Sequence, residues 1–179
     1  LVRSLAVLVA LVAATAAPAA DPAKVYRIAF PTAETGFDPA RVSDLYSNTV
    51  NEAIFERLLT YDYLARPAKL VPLVAEAMPQ VTENGRVYTF RIRRGIHFTP
   101  DPAFKGRKRE LVAGDFAYAI KRQADPKNRS PWAFMVEGRI AGLDTLIEQA
   151  KKTGRFDYDA KIPGIETPDP YTLVIRLGA

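Results

Sequence analysis

A single histidine and no cysteine among 179 residues restrict the covalent and metal chemistry open to this chain. One imidazole cannot assemble a multi-histidine zinc site, so His97 is read as structural or solvent-facing. The lack of thiols excludes disulfides, thiolate catalysis, cysteine-ligated zinc and a lipidated N-terminal cysteine. Asp157 and Asp159, in FDYDA, are a carboxylate pair, but their setting reads as a turn on a charged surface. Nucleophile-elbow, P-loop and dinucleotide-binding patterns do not occur. Lys105-Gly106-Arg107-Lys108-Arg109 is the densest basic cluster, and it has no interleaved aromatic side chains on which bases could stack. It is expected to be a solvated loop with no nucleic-acid role.

Composition agrees with a globular chain of about one domain, 48% hydrophobic and 25% charged. The N-terminus has the order of a secretory signal peptide: Arg3, a short apolar run from Leu5 to Ala14, then small residues at Ala17-Pro18-Ala19. Cleavage after Ala19 is expected. The apolar run falls short of the roughly 20 residues needed to span a bilayer. Removing residues 1–19 takes away only Arg3, leaving 24 basic against 20 acidic side chains and a net charge of +4. Such a mild excess points to no particular partner.

Periodicity then indicates a mixed α and β organisation. Val25 to Phe30 alternates as a half-buried strand would, with Tyr26, Ile28 and Phe30 on one face. From Asp44 to Leu58, the apolar residues Val50, Ala53, Ile54 and Leu58 form a helical stripe, which Ser43 can cap. Asn84-Gly85 predicts a tight type I′ hairpin turn. The strand after it sets Tyr88, Phe90 and Ile92 on a packed face against Thr89, Arg91 and Arg93 on a wet one. Gly114 to Arg122 carries Phe116, Ala119 and Ile120 at helical spacing, and Asp125-Pro126 stops it. Ile140, Leu143, Leu146, Ile147 and Ala150 mark a third helix, with Lys151 and Lys152 suited to its C-terminal end. Tyr171, Leu173, Ile175 and Leu177 alternate as a last strand with no return element after it. That strand and Val25–Phe30 are expected to leave apolar edges unpaired.

Five blocks in a fixed order resemble a known family. The run from Leu70 to Arg122 is similar to the "LAESW…DGxxYTFxLRKGVKF…TAEDVxYSxKRxxDP" signature of the peptide/nickel class, family 5, of periplasmic solute-binding proteins. Phe37-Asp38-Pro39 matches its "LDP", and NEAIFERLLTYD (residues 51–62) its "xxxIYEGLxxYD". Ser130-Pro131-Trp132 and Gly138 to Asp144 resemble "SPYA…GxIxGxDE" of the oligopeptide-binding branch. Three departures stand out. Val112 replaces the usual Thr helix cap, Arg94-Gly95 replaces Lys-Gly, and the loop from Phe98 to Glu110 is longer and more basic.

The resemblance implies a periplasmic binding protein-like, two-lobed α/β (mixed α+β) fold that closes around its ligand by hinge motion. This chain would be the N-terminal part. Residues 1–19 would be the signal peptide and 20–45 the first strand and loop of the main lobe. Residues 46–165 would form the smaller α+β domain, and 166–179 a strand leading back toward the main lobe. The implied function is extracytoplasmic: a monomer in the periplasm that captures di- or oligopeptides and delivers them to an ABC permease and ATPase complex, with no cofactor and no bond broken.

The positions that line the cleft in the oligopeptide branch fall here at Ser43, Asp44, Tyr46 and Trp132, with Glu34 in the preceding loop. A Trp face can cover a planar peptide or an apolar side chain, and Asp44 could pair with an ammonium. Each also has a plain structural role open to it: a helix start for Ser43 and Asp44, core packing for Tyr46, a surface plug for Trp132. Other readings are a different ligand for the same fold (nickel chelate, sugar, opine or haem), a periplasmic hydrolase with its catalytic residues elsewhere, or a sensory binding protein. Residues 20–179 by themselves are expected to bind no ligand with useful affinity.

Overall fold

The structure, a computed structural model, describes Asp21 and residues 23–178. The expected signal peptide and its cleavage site lie outside the described residues. The described residues fall into two compact units, the first ending at Pro31 and the second beginning at Thr32. Within the first unit, Val25 to Phe30 forms no strand, and Val25, Tyr26 and Ile28 are 67%, 86% and 72% exposed. Alternation alone does not make a strand. Its amide groups need a neighbouring ladder, and among the described residues no strand pairs with this segment.

Residues 32–178 carry three α-helices and six strands, besides short 3-10 turns: α1 (Leu45–Ile54), β1 (Leu59–Tyr61), β2 (Leu70–Pro72), β3 (Gln80–Thr82), β4 (Val87–Arg91), α2 (Ala113–Ala124), α3 (Leu143–Thr153), β5 (Ile165–Asp169) and β6 (Thr172–Arg176). No helix among the described residues is long and apolar enough to cross a membrane. β1 and β2 make a small antiparallel pair. The larger sheet is antiparallel in the order β3-β4-β6-β5. In its register Phe90 faces Leu173 and Tyr88 faces Ile175, so the alternating apolar residues of both strands point to one side. Ile165 joins them opposite Ile175. Helices α2 and α3 supply the other half of the core, chiefly through Ala113, Ala124, Leu143, Leu146, Ile147 and Ala150. Val74 and Ala75 seal it from the segment that precedes β3.

The last strand therefore differs from the expectation. β6 is an interior strand, bonded to β4 on one side and β5 on the other. The true edges are β3 and β5. Pro168 and a register shift between Glu166 and Asp169 interrupt β5, which makes that edge a poor template for another strand.

The Asn-Gly hairpin exists, but its turn is wider than a two-residue I′ turn. Thr82 pairs with Val87, leaving residues 83–86 between them, and Glu83, Asn84 and Gly85 all have positive φ. Arg176 donates to the Glu83 carboxylate at 2.7 Å, which anchors this turn to β6. The basic loop is only partly free in solvent. Arg109 forms a two-pronged pair with Asp115 at the start of α2, and its guanidinium carbon lies over the Phe98 ring, 4.4 Å from the ring centre. Asp115 also accepts from the Val112 amide at 2.9 Å, supplying the reverse half of a capping box that Val112, with no side-chain acceptor, cannot complete.

Candidate functional site

The loop between Thr35 and Asp44 is tied down at three places, each by a residue distant in sequence or by the helix that follows. At its end, Asp44 rather than Ser43 caps α1: Oδ1 accepts from the Ser47 amide at 2.8 Å. Asp44 has the right side-chain length and extended backbone, whereas Ser43 stands one residue too early. Asp44 Oδ2 accepts from the Thr35 hydroxyl at 2.5 Å, and the Thr35 amide donates to Ser47 Oγ at 2.9 Å. These hydrogen bonds, those to Ser47 first, hold the Asp44 carboxyl down at about 2.

In mid-loop, the Asp38 carboxylate receives Arg122 of α2 in a bidentate fork, Nη1 to Oδ1 at 2.9 Å and Nη2 to Oδ2 at 2.7 Å. The hydrogen bond from Arg122 lowers the Asp38 pKa and raises that of Arg122. Asp38 also turns the loop locally, accepting from the Ala40 amide at 3.0 Å. Ala40 and Val42 are buried.

The third tie is the indole of Trp132. Its Nε1 donates to the Val42 carbonyl at 2.9 Å across 90 positions of sequence. Ser130 prepares this loop, its hydroxyl accepting from the Trp132 amide at 3.1 Å while donating to Gln123 of α2 at 2.6 Å. The Trp132 ring is half-buried, and Phe134, largely exposed, stands 6.5 Å from it at a tilt of 40°.

The structure thus joins the loop that ends in Ser43 and Asp44 directly to the Trp132 loop. Tyr46 is half-buried on the first turn of α1, Ser43 is exposed, and Glu34 is exposed at the start of the loop. Sequence reasoning did not find the Asp38–Arg122 pair. Both residues lie inside the family-like segments, Asp38 in Phe37-Asp38-Pro39 and Arg122 shortly before Asp125-Pro126, but nothing local signals a pairing 84 residues apart.

α1 also departs from its expected face. Its buried residues are Ser47 and Asn51, while Ala53 and Ile54 of the expected stripe are exposed, Ile54 by 58%. The Asn51 carboxamide is buried without a hydrogen-bond partner among the described residues. His97 is exposed, with Nδ1 2.8 Å from the Gly95 carbonyl oxygen, and Asp157 accepts from the Asp159 amide in the expected turn. Among the described residues, no three His, Asp or Glu side chains are grouped to hold a metal ion.

Residues 69–179, more than half of the chain, match the family described as Bacterial extracellular solute-binding proteins, family 5 Middle. The chain belongs to this family. It is 29% identical over 141 residues to the periplasmic oligopeptide-binding protein OppA of Escherichia coli, covering 78% of this chain and 22% of that protein. It is 33% identical over 117 residues to di/tripeptide-binding protein 2 of Pseudomonas aeruginosa, covering 65% and 21%. The crystal structure of Haemophilus influenzae OppA in complex with RPPGFSPFR superposes with a TM-score of 0.59 at 25% identity, covering 78% of this chain and 24% of that one. The solute-binding protein fold is therefore that of peptide-binding relatives, and the chain spans about a quarter of their length.

Proposed function

We propose that this chain is part of the extracytoplasmic solute-binding component of an ABC import system, acting in the periplasm on di- or oligopeptides and handing them to a membrane permease driven by its ATPase. The observation that carries the reading is the family match over residues 69–179 together with relatives named for binding oligopeptides and di/tripeptides. The work is capture rather than catalysis. A peptide would be held by enclosing its apolar side chains and satisfying its polar backbone. In this reading residues 20–45 belong to a main lobe and residues 46–165 to a smaller domain.

Trp132, Ser43, Asp44, Tyr46 and Glu34 are the proposed ligand-facing residues. What supports them is that the Trp132 loop and the loop before α1 are bonded to each other, so they can present one surface. Asp44 would approach a ligand with both oxygens already accepting hydrogen bonds, which suits a charge contact with an ammonium better than a new short bond. A thermal-shift screen of the full-length mature protein against pooled peptides, sugars and metal chelates tests the reading, because a ligand that binds only the folded state raises apparent stability by mass action. Stabilisation by peptides that disappears in Trp132→Ala is the expected result. Stabilisation by chelates or sugars alone would replace peptides with that ligand class.

A further inference from the structure

We propose that Arg122 is a positioning residue for the ligand-facing loop: its fork on Asp38, acting with the Trp132–Val42 bond, sets where Ser43 and Asp44 stand relative to the Trp132 ring. The inference rests on the reading that this loop faces a ligand, and it adds a residue that no ligand would touch.

Arg122 is itself well held. Its carbonyl accepts from Asn128 Nδ2 at 2.9 Å, and the same nitrogen lies 3.4 Å from the Tyr158 hydroxyl. Tyr158 donates to Asp125 at 2.7 Å, and Lys121, its neighbour on α2, donates to the carbonyls of Tyr158 and Ala160 at 2.7 and 2.8 Å. The C-terminal turn of α2 and the residues after α3 thus form one polar hub, and the Arg122 guanidinium projects from it to the loop. Its two parallel bonds specify direction as well as distance, which a single ammonium cannot do. The pair is sheltered, with the Asp38 and Arg122 side chains 32% and 28% exposed.

Asp38 and Val42 flank the buried Ala40, so the two ties grip the loop on either side of its anchor. With the fork removed, Asp38 keeps its turn bond to Ala40, and the loop shape survives while its tie to α2 does not. The remaining tie to the 130–136 loop is the indole bond. Rotation about that single bond would displace Ser43 and Asp44 from Trp132, and both the indole environment and the ligand contact would change together.

Trp132 is the only tryptophan of the chain, so its emission reports this junction directly. The experiment compares wild type with Asp38→Asn, Arg122→Gln and Arg122→Lys, by Trp emission, acrylamide quenching and circular dichroism on this chain and by titration of the full-length mature protein carrying the same substitutions with a mixed tripeptide library. Arg122→Lys retains the charge and loses only the fork, which keeps the test open if Arg122→Gln folds poorly. Unchanged circular dichroism with red-shifted emission, stronger quenching and about tenfold weaker peptide binding is the expected result, equivalent to about 1.4 kcal/mol. Emission and quenching identical to wild type in a folded Asp38→Asn or Arg122→Lys chain would overturn the proposal. Shifted emission with no peptide binding even by the wild type would sink the peptide reading and leave the positioning role standing.

Discussion

A Cβ added to Gly164 would stand 2.4 Å from the Ala141 carbonyl oxygen and 2.5 Å from Ile140 Cγ2, so the turn before β5 and the segment before α3 approach as closely as backbone allows. This contact locks the first buried residue of β5, Ile165, against the helix layer. The neighbouring Gly142 adds a second close approach to Pro163 and has φ +77, where a side chain is strained. Gly164→Ala is expected to cost about 3 kcal/mol or more, because the obstructing atom is a backbone oxygen with no rotamer to yield. Chemical denaturation checks this, and a loss under about 1 kcal/mol would show that the segments can separate cheaply.

Leu173 is fully buried in the interior strand of the large sheet, opposite Phe90. Leu173→Ala should destabilise by about 2–5 kcal/mol, whereas Val81→Ala on the exposed edge strand should change stability by less than about 0.5 kcal/mol. Equal effects in denaturant melts would contradict the placement of β6 inside the sheet.

The Val42 carbonyl takes its side-chain hydrogen bond from Trp132. Trp132→Phe keeps an aromatic ring and removes the donor, so it should cost about 1–2 kcal/mol and still permit ring stacking on a ligand. Trp132→Ala should lose both. A calorimetric comparison of the two variants in the full-length protein separates the structural bond from the proposed ligand surface, since only Trp132→Ala should abolish peptide-induced stabilisation.

The Arg122 hydrogen bond holds the Asp38 carboxyl below its ordinary range, while Arg122 is raised above its own ordinary value and stays charged throughout acid titration. A depressed carboxyl contributes its full stability above about pH 4 and loses it as pH falls through the folded-state value. Wild type should therefore lose melting temperature faster than Asp38→Asn between about pH 4 and pH 2, with the two curves converging at the acid end. Asp44, held at about 2, contributes over the same window and retains its cap until the lower limit. Parallel melting curves for wild type and Asp38→Asn across this range would count against a pair formed in solution.

The helical spacing of α3 and the alternation of β4 and β6 were legible because they report each residue's own face, and a large antiparallel sheet buries one face whichever strand lies beside it; on α2, Phe116 and Ile120 pack half-buried against the core while Ala119 of the expected stripe is exposed. Phe90, Ile92, Leu143, Leu146, Ile147, Ala150 and Leu173 all went to the core as their periods indicate. The same reasoning failed on α1, whose polar Ser47 and Asn51 are inside while Ile54 is outside, and on Val25 to Phe30, which has no strand beside it among the described residues.

Within the candidate site, the residue types at Ser43, Asp44 and Trp132 were visible, but the bonds that join them were not. The choice of Asp44 over Ser43 as cap depended on a one-residue difference in where α1 begins.

By itself, then, the sequence determined the family signature, the alternation and helical spacing of the core elements, and the absence of thiol chemistry, all of which depend on residue type and short spacing. Only the tertiary structure decided that β6 lies between β4 and β5, that Arg122 grips Asp38, and that Trp132 reaches Val42. The β4–β6 pairing, the Arg122–Asp38 fork and the Trp132–Val42 bond join residues about 80–90 positions apart, and they are set by how the layers pack, which no local period encodes.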